Sequence, residues 1–540
     1  MSLFRSCGLS PATLLPAALL LVHSTAAFAA PAPNVLLLIA DDMRPWIGAY
    51  AAAPVRTPHL DRLADRGLLF NRAYCQNAVC GPSRASFLTG LRPDTTRIFD
   101  NDTHFRLHDP RIVTLPQHFR GHGYRTQAAG KIFHPSFAQA YVSARLDDPP
   151  SWSEPTWYPP PQYYHTEAGM ALAESVFLRH PGCGMYRGET CIHNRLQTPA
   201  ELTPEERARY GGGEWKRHFV QGALLEAPDV PDSDLGDGQI ADRAIEALRA
   251  ARGGPFFLAV GFLRPHVPFV APKQYWDLYD RADFDPVANG AMPAGVSIET
   301  YPRMHDHWAY EDTVPEGPLD NATARALMHG YAACASFVDA QAGRVLDELE
   351  RLGLADNTIV VFMGDHGYHL GEQGRWGKQT CYETATRAPL IVAAPGMAAR
   401  GARTDALVEY VDLFPALCEL AGLPAPPALE GASFAPLLDA PDRPWKRAAF
   451  SQFPNPVRLS RPEIAPQPGD LMGRAIRTDR HRLVIWEHVL EPEKIEAIEL
   501  YDYATDPGET HNLADDPAHA ATVRELIGML GAGWRASGPP

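Results

Sequence analysis

Two short stretches limit what this chain can fold into. NVLLLIADD (Asn34–Asp42) and TIVVFMGDHG (Thr358–Gly367) are continuous apolar runs that stop at acidic residues. Neither alternates apolar with polar, so neither has a face meant for water. Runs of this kind suit strands of a parallel sheet covered on both sides. PFFLAVGF (Pro255–Phe262) and PLIVAAP (Pro389–Pro395) read the same way. Helical patterns lie between them. The clearest is Ala322–Leu352, where Leu327, Tyr331, Cys334, Val338, Val345 and Leu349 fall near helical spacing and Gly353 supplies a C-terminal cap. Strands alternating with helices predict an α/β fold.

The first 30 residues read as a secretory signal, with Arg5, an apolar core over Leu14–Val22, and Ala27-Phe28-Ala29 as the cleavage site. That apolar run is too short to span a bilayer comfortably, and no later run is long enough, so no stable membrane insertion is expected. The expected location is the periplasm or the extracellular space, or a lysosome if the source is eukaryotic. The expected division is 31–443 as a catalytic domain, with a Pro- and Tyr-rich surface insertion over about 145–235, and 444–540 as a C-terminal subdomain. In the latter, RLVIWEHVL and AIELYDYATDPGETHNLADDP read as antiparallel strands and a turn before a terminal helix. The net charge of −15 argues against nucleic acid as a partner, but a local basic pocket can still take an anion. Of eight cysteines, Cys7 leaves with the signal, so seven remain, an odd number that points to one special thiol. Cys183 and Cys191 flank a short Gly-containing loop and are the expected disulfide. Cys334 reads as core. Asn101 and Asn321 begin glycosylation sequons, which matter only in a eukaryotic secretory route.

The chemistry gathers at strand ends. Open α/β sheets form sites beyond the carboxyl ends of their strands. Asp41 and Asp42 follow one strand, and Asp365 and His366 another. Three carboxylates and an imidazole at one point need a cation, and oxygen-rich ligation favours Ca²⁺ or Mg²⁺ over Zn²⁺. Acidic residues also follow strands simply as turn formers. YRTQAAGKIFHP places Lys131 and His134 after a further strand, FLAVGFLRPHVPF places Arg264 and His266, and GRWGKQT adds Arg375 and Lys378. Taken singly each base is an ordinary surface charge or core histidine; together, ringing a cation, they suit an oxyanion. In AVCGPSRASFLTG, Pro82 is a natural first-turn residue. Cys80 therefore lies near a helix N-terminus, whose dipole, with Arg84, stabilises an anion or polarised oxygen. A disulfide from Cys80 to Cys75 and an activated thiol nucleophile remain open readings. So does the choice between phosphate and sulfate.

CGPSRASFLTG resembles the type I sulfatase signature, Cys-x-Pro-Ser-Arg followed by Thr-Gly. IADDMRP, RPDTTRIFD, GKIFHP, LRPHVPF, GDHGYHLGEQGRWGK and MGRAIRTDRHRLVIW are similar to the iduronate-2-sulfatase branch and its bacterial relatives. Asp365-His366 in place of Asp-Asn, and the wide Lys131-to-His134 spacing, point to the same branch. The resemblance implies a large mixed, mostly parallel sheet sandwiched by helices, of the alkaline phosphatase/sulfatase type. It also implies a smaller C-terminal α+β subdomain with an antiparallel sheet. It implies that a maturation enzyme oxidises Cys80 to Cα-formylglycine, and that Asp41, Asp42, Asp365 and His366 hold Ca²⁺, or less readily Mg²⁺, with the modified residue. Arg84 would steady the formylglycine, and Lys131, His134, His266 and Lys378 would bind sulfate and move protons. One hydroxyl of the hydrated aldehyde would attack sulfur and displace the alcohol. The second, deprotonated by His134, would collapse back to aldehyde and expel sulfate, while His266 or Lys378 protonates the leaving oxygen.

Arg264 and Arg375 stand where this branch is expected to carry a lysine and an acid. Either can meet a sugar carboxylate or a neighbouring sulfate, since Arg binds carboxylate through two bonds. The implied substrate is a sulfated glycan residue, a uronate 2-sulfate first. The other readings are a different sulfated sugar, a phosphate or phosphonate monoester, or a catalytically dead glycan-binding protein. A two-metal phosphatase would need further ligands, for which His369 is the candidate.

Overall fold

The computed structural model describes residues 32–540 apart from 52–53, 102, 135–146, 161–163, 180–221, 252–253, 303–304, 311–318 and 456–465. Its central element is a seven-stranded sheet. In chain order the strands are β1 (Asn34–Asp41), β2 (Leu68–Phe70), β3 (Arg125–Gly130), β4 (Phe256–Pro265), β5 (Thr358–Gly364), β6 (Leu390–Ala393) and β7 (Ala402–Thr404), and their spatial order is β7-β2-β6-β5-β1-β4-β3. β5, β1, β4 and β3 run parallel, with Leu37 opposite both Ala259 and Val361. Parallel neighbours end at the same edge, so the residues after these four strands are delivered to one place.

Every residue of β1 is buried. Val35, Leu37 and Ile39 pack into one core, and Leu36, Leu38 and Ala40 into another on the opposite face. This is why the run is uniformly apolar. Helices α1 (Pro58–Arg66), α3 (Gly236–Ala250) and α4 (Asn321–Arg351) close the core of Leu36, Leu38 and Ala40; α2 (Cys80–Thr89) and α5 (Leu413–Leu420) close that of Val35, Leu37 and Ile39. Helix α4 carries the expected apolar face, with Leu327, Tyr331, Cys334, Val338, Val345 and Leu349 all buried. Gly353 ends it at φ +69°, where its N–H donates to Glu350 O and the next N–H, of Leu354, donates to Leu349 O. That bond pair is a Schellman cap.

Two features depart from expectation. β6 is antiparallel to both neighbours, β5 and β2. An apolar run records burial on two faces and carries no sign of direction. No long helix crosses back between β5 and β6, and without a crossover a neighbouring strand returns antiparallel. The stretch expected as a surface insertion begins inside the fold. Trp157 exchanges backbone hydrogen bonds with Ala128 and Gly130 on the edge strand β3, and Trp152 is buried. Cys183 and Cys191 lie outside the described residues, as does the expected signal.

The C-terminal part forms the expected antiparallel sheet. Its strands are β8 (Ala449–Asn455), β9 (Leu471–Arg477), β10 (His481–His488) and β11 (Ile495–Asp502), in that spatial order. Leu526 of α6 (Ala520–Ala532) packs on one face with Ile476, Leu483 and Leu500. The other face buries Phe453, Val484 and Trp486 against Val79, the residue before Cys80. Among the described residues no helix is long and apolar enough to cross a membrane.

Candidate active site

The four parallel strands bring Asp41-Asp42, Lys131-His134, Arg264-His266 and Asp365-His366 to one edge, and Cys80 meets them as the first residue of α2. A side chain at Gly261 would strike the Lys131 carbonyl, so glycine lets β4 and the end of β3 close up there. No side chain caps α2 at Val79. Instead the Asn101 side chain accepts from the Gly81 N–H at 2.7 Å, and the Ser83 hydroxyl donates to Asp365 O at 2.5 Å. Asn101 therefore faces inward in a capping role, which the sequon did not signal.

Arg84 is the strut of the site. It is fully buried and donates to Asp41 Oδ1 and Asp365 Oδ2, both at 3.0 Å, and to the carbonyls of Lys131 and Ile132. It fixes two acids at once. Asp41 Oδ2 accepts from Lys131 Nζ at 2.5 Å. Burial works to raise the Asp41 carboxyl, but Lys131 and Arg84 win and hold it well below the usual carboxylate range. Asp42 sits at φ +63°, a left-handed position that Asp tolerates better than most residues. Three bonds hold it there: its N–H donates to Asp365 Oδ1 at 2.9 Å, Tyr331 Oη donates to its carbonyl at 2.7 Å, and the Arg44 N–H donates to Tyr331 Oη at 2.8 Å. Its carboxylate accepts from Lys378 Nζ at 2.7 Å through both oxygens. Burial opposes charge on Lys378, yet Asp42 raises its pKa well above the usual value.

Cys80 Sγ lies 3.3 Å from His366 Nε2 and 3.7 Å from Asp42 Oδ1. Burial and then Asp41 push its thiol well up, against the opposing Lys131 and Lys378. The helix N-terminus does not make it a thiolate, which weighs against the activated-thiol reading. Cys75 and Cys80 are both free thiols, so the disulfide reading fails. Cys334, Cys381 and Cys418 are also free and buried.

His366 Nδ1 bonds Gly367 O at 2.8 Å, which turns Nε2 toward Asp42 Oδ1 at 3.4 Å and Asp365 Oδ2 at 3.7 Å. With Nδ1 as donor, Nε2 faces two carboxylate oxygens, a position for a cation. Ligand atoms of Asp42, Cys80, Asp365 and His366 lie within 4.8 Å of one another, and so do those of Asp41, Asp42, Cys80 and His266. Three carboxylates, an imidazole and the residue-80 side chain fit a divalent metal, with the carboxylate count suiting a hard ion. Arg84, Lys131 and Lys378 balance the three carboxylates, so a bound dication leaves a net positive site suited to an anion.

His266 Nδ1 bonds Val267 O at 2.7 Å, and its Nε2 is 4.0 Å from Asp42 Oδ2. Burial and Lys378 lower its pKa to about 4. Burial and Lys131 likewise hold His134 well below the usual value. Arg264 and Arg375 are both buried. Arg264 donates to Val270 O at 3.1 Å and His266 O at 2.9 Å, so it braces the His266 loop. Arg375 donates to Pro302 O and lies over the Tyr301 ring at 5.4 Å. His369 bonds Thr380 at 2.9 Å and joins neither donor group, so it supplies no second-metal site. Sequence reasoning passed over Asp306, whose Oδ2 lies 3.9 Å from Lys378 Nζ. It sits in an irregular turn and carries no spacing signal.

Comparison with known proteins agrees with this geometry. The family model described as Sulfatase matches residues 33–423, and that of the N-sulphoglucosamine sulphohydrolase C-terminal region matches 371–532. The chain is 33% identical to the iduronate 2-sulfatase of Mus musculus, over 91% of this chain and 93% of that protein. It is also 33% identical to that of Homo sapiens, over 89% and 91%. The solved phosphonate monoester hydrolase of Silicibacter pomeroyi superposes with a TM-score of 0.68 at 26% identity, covering 94% of this chain and 96% of that one. The signature at Cys80, the Asp/His/Cys cluster at the sheet edge and these matches together carry one conclusion: the chain belongs to the type I, formylglycine-dependent sulfatase family, related to iduronate 2-sulfatases and bacterial sulfatases.

Proposed function

We propose that this protein is an exported, Ca²⁺-dependent exo-sulfatase that removes the 2-sulfate of a uronic acid in a sulfated glycan. The observation that carries this reading is the placement of Cys80 between Asp42 and His366, with Lys131 and Lys378 each bonded to a carboxylate of the same cluster. The uronate rests on likeness to the two iduronate 2-sulfatases. When bound, Ca²⁺ beside a Cα-formylglycine at position 80 supplies an acidified geminal-diol oxygen as the nucleophile toward sulfur. The chain does the rest. Arg84 holds Asp41 and Asp365 in register. Lys131 and Lys378 meet the sulfate oxygens, and Lys378, kept charged by Asp42, donates to the departing alcohol oxygen. His134, held neutral by burial, takes the proton whose loss frees sulfate.

Cys80 has no exposed surface, so an oxidising maturation enzyme has to reach it before the fold closes. The test is a panel of defined sulfated disaccharides, with peptide mass measured at residue 80. Release of sulfate from uronate 2-sulfates alone, with sulfur lost at residue 80, is the expected result. Active enzyme retaining that sulfur would overturn the formylglycine. The likeness to a phosphonate monoester hydrolase supports a second reading, and aryl sulfate against aryl phosphonate at equal concentration decides between them.

A further inference from the structure

Asp306 is a site acid that this reaction leaves unused. It opens a short turn, Asp306–Ala309, and its Oδ2 is buried with no hydrogen-bond donor from the described residues. Lys378 Nζ, at 3.9 Å, is beyond hydrogen-bond range and is already bonded to both oxygens of Asp42. Asp306 is therefore not needed to neutralise Lys378. A carboxylate oxygen kept from water without a donor is costly and calls for an explanation.

The surroundings hold it there. Gly377, at φ +140°, lies so close that a Cβ would come within 3.3 Å of the Asp306 carboxyl carbon. The Trp376 N–H donates to His305 Nδ1 at 3.2 Å, next to Asp306 in the chain. Arg375 donates to Pro302 O just before the turn. Three consecutive residues, Arg375, Trp376 and Gly377, thus fix the turn immediately ahead of Lys378. An acid placed beside an anion-binding lysine repels a second anion and accepts from a neutral hydroxyl.

We propose that Asp306 is a specificity residue whose Oδ2 accepts a hydrogen bond from the substrate hydroxyl on the ring carbon next to the sulfate ester. It selects an unsulfated neighbouring position. This rests on the sulfatase reading above.

The test compares a methyl glycoside of a uronic acid 2-sulfate with its 3-deoxy analogue. A hydroxyl bonded to a charged, buried acceptor is worth about 10- to 100-fold. The wild-type enzyme is expected to prefer the hydroxylated substrate by that factor in kcat/KM, and Asp306→Ala to reduce the preference to within about 2-fold. Equal turnover of the pair by the wild type overturns the proposal with no variant needed. A preference that survives in Asp306→Ala overturns it as well. 4-Nitrophenyl sulfate separates the two readings. Wild-type enzyme that cleaves it but treats the sugar pair alike loses only the Asp306 role. Enzyme that cleaves no sulfate ester loses the sulfatase reading too.

Discussion

Two of the buried charge clusters among the described residues differ in how fully their acids are bonded, although the formal charges of the bonded acids and bases cancel in both. At the junction with the C-terminal sheet, Arg92 and Lys446 face Glu409 and Asp412. Arg92 donates to both Glu409 oxygens at 2.8 Å, and Lys446 donates to Glu409 and to both Asp412 oxygens at 2.6–2.8 Å. Backbone N–H groups of Phe450, Glu409 and Ala432 fill the remaining places, so each carboxylate oxygen meets two donors. At the sheet edge the acids are only partly answered. Asp42 Oδ1 also faces a thiol at 3.7 Å and an imidazole nitrogen at 3.4 Å, neither of them a strong donor toward it. Charge balance therefore does not separate a strut from a site. Saturation does: at the junction every oxygen of Glu409 and Asp412 is answered by donors of the chain, whereas the edge holds ligand atoms that converge on one point.

The comparison breaks most sharply at Cys80. Cys80→Ala is expected to lower kcat on an aryl sulfate by at least about 10³-fold. The residue-80 side chain is small and makes weak sulfur contacts, to His366 and Asp42, and no ion pair, so the melting temperature should move little. The metal half of the same reading has its own readout. Chelation should lower the wild-type melting temperature and Ca²⁺ should restore it, while Asp365→Asn should lose that response. A large loss of stability in Cys80→Ala would make residue 80 a strut like those at the junction.

Glu409→Gln should show the opposite pattern. It takes from the buried Arg92 guanidinium the carboxylate it bonds and leaves Lys446 with Asp412 alone, at a cost of about 3–5 kcal/mol in unfolding free energy. The native fraction should keep its kcat/KM within about 2-fold. Burial works to raise the Glu409 carboxyl, but Arg92 and Lys446 hold it down at about 2. A depressed acid stabilises the fold above its unfolded pKa of about 4.3. The gap between wild type and Glu409→Gln should thus be full above pH ~4.5 and close as pH falls toward ~2. Urea titrations at several pH values read this directly, and a gap that stays constant would show that charge is not the cause.

Much of the edge was legible because strand ends announce themselves. The apolar runs before Asp41 and Asp365 mark β1 and β5, and parallel packing then places the acids together. The direction of β6 was not legible, because its run encodes only burial. Arg264 and Arg375 look like substrate ligands in a linear string, yet in space they bond backbone carbonyls and hold loops. Asp306 was invisible for the converse reason: its position depends on Gly377 and on bonds from residues some 70 positions away in the chain. Cysteine parity did not by itself single out Cys80. Five described cysteines are free and buried, so oddness counts core residues as well as special ones.

Tyr331 tests whether strut and site are separable at all. It belongs to the core of α4, stacked on Tyr368 with ring centroids 5.8 Å apart. Its hydroxyl is one of the bonds that hold Asp42 in the left-handed region, and it also takes the Arg44 N–H. Tyr331→Phe keeps the ring and removes only those two bonds. The cost in stability should be about 1–3 kcal/mol, the penalty for one buried carbonyl and one buried N–H left unanswered. If the hydroxyl also fixes the carboxylate, kcat should fall several-fold while KM stays near the wild-type value, because the acid is displaced from the reacting group rather than from the bound substrate. A stability loss with unchanged kcat would put Tyr331 with Arg92 among the struts. Asp42 would then keep its backbone angle through its bond to Asp365 alone.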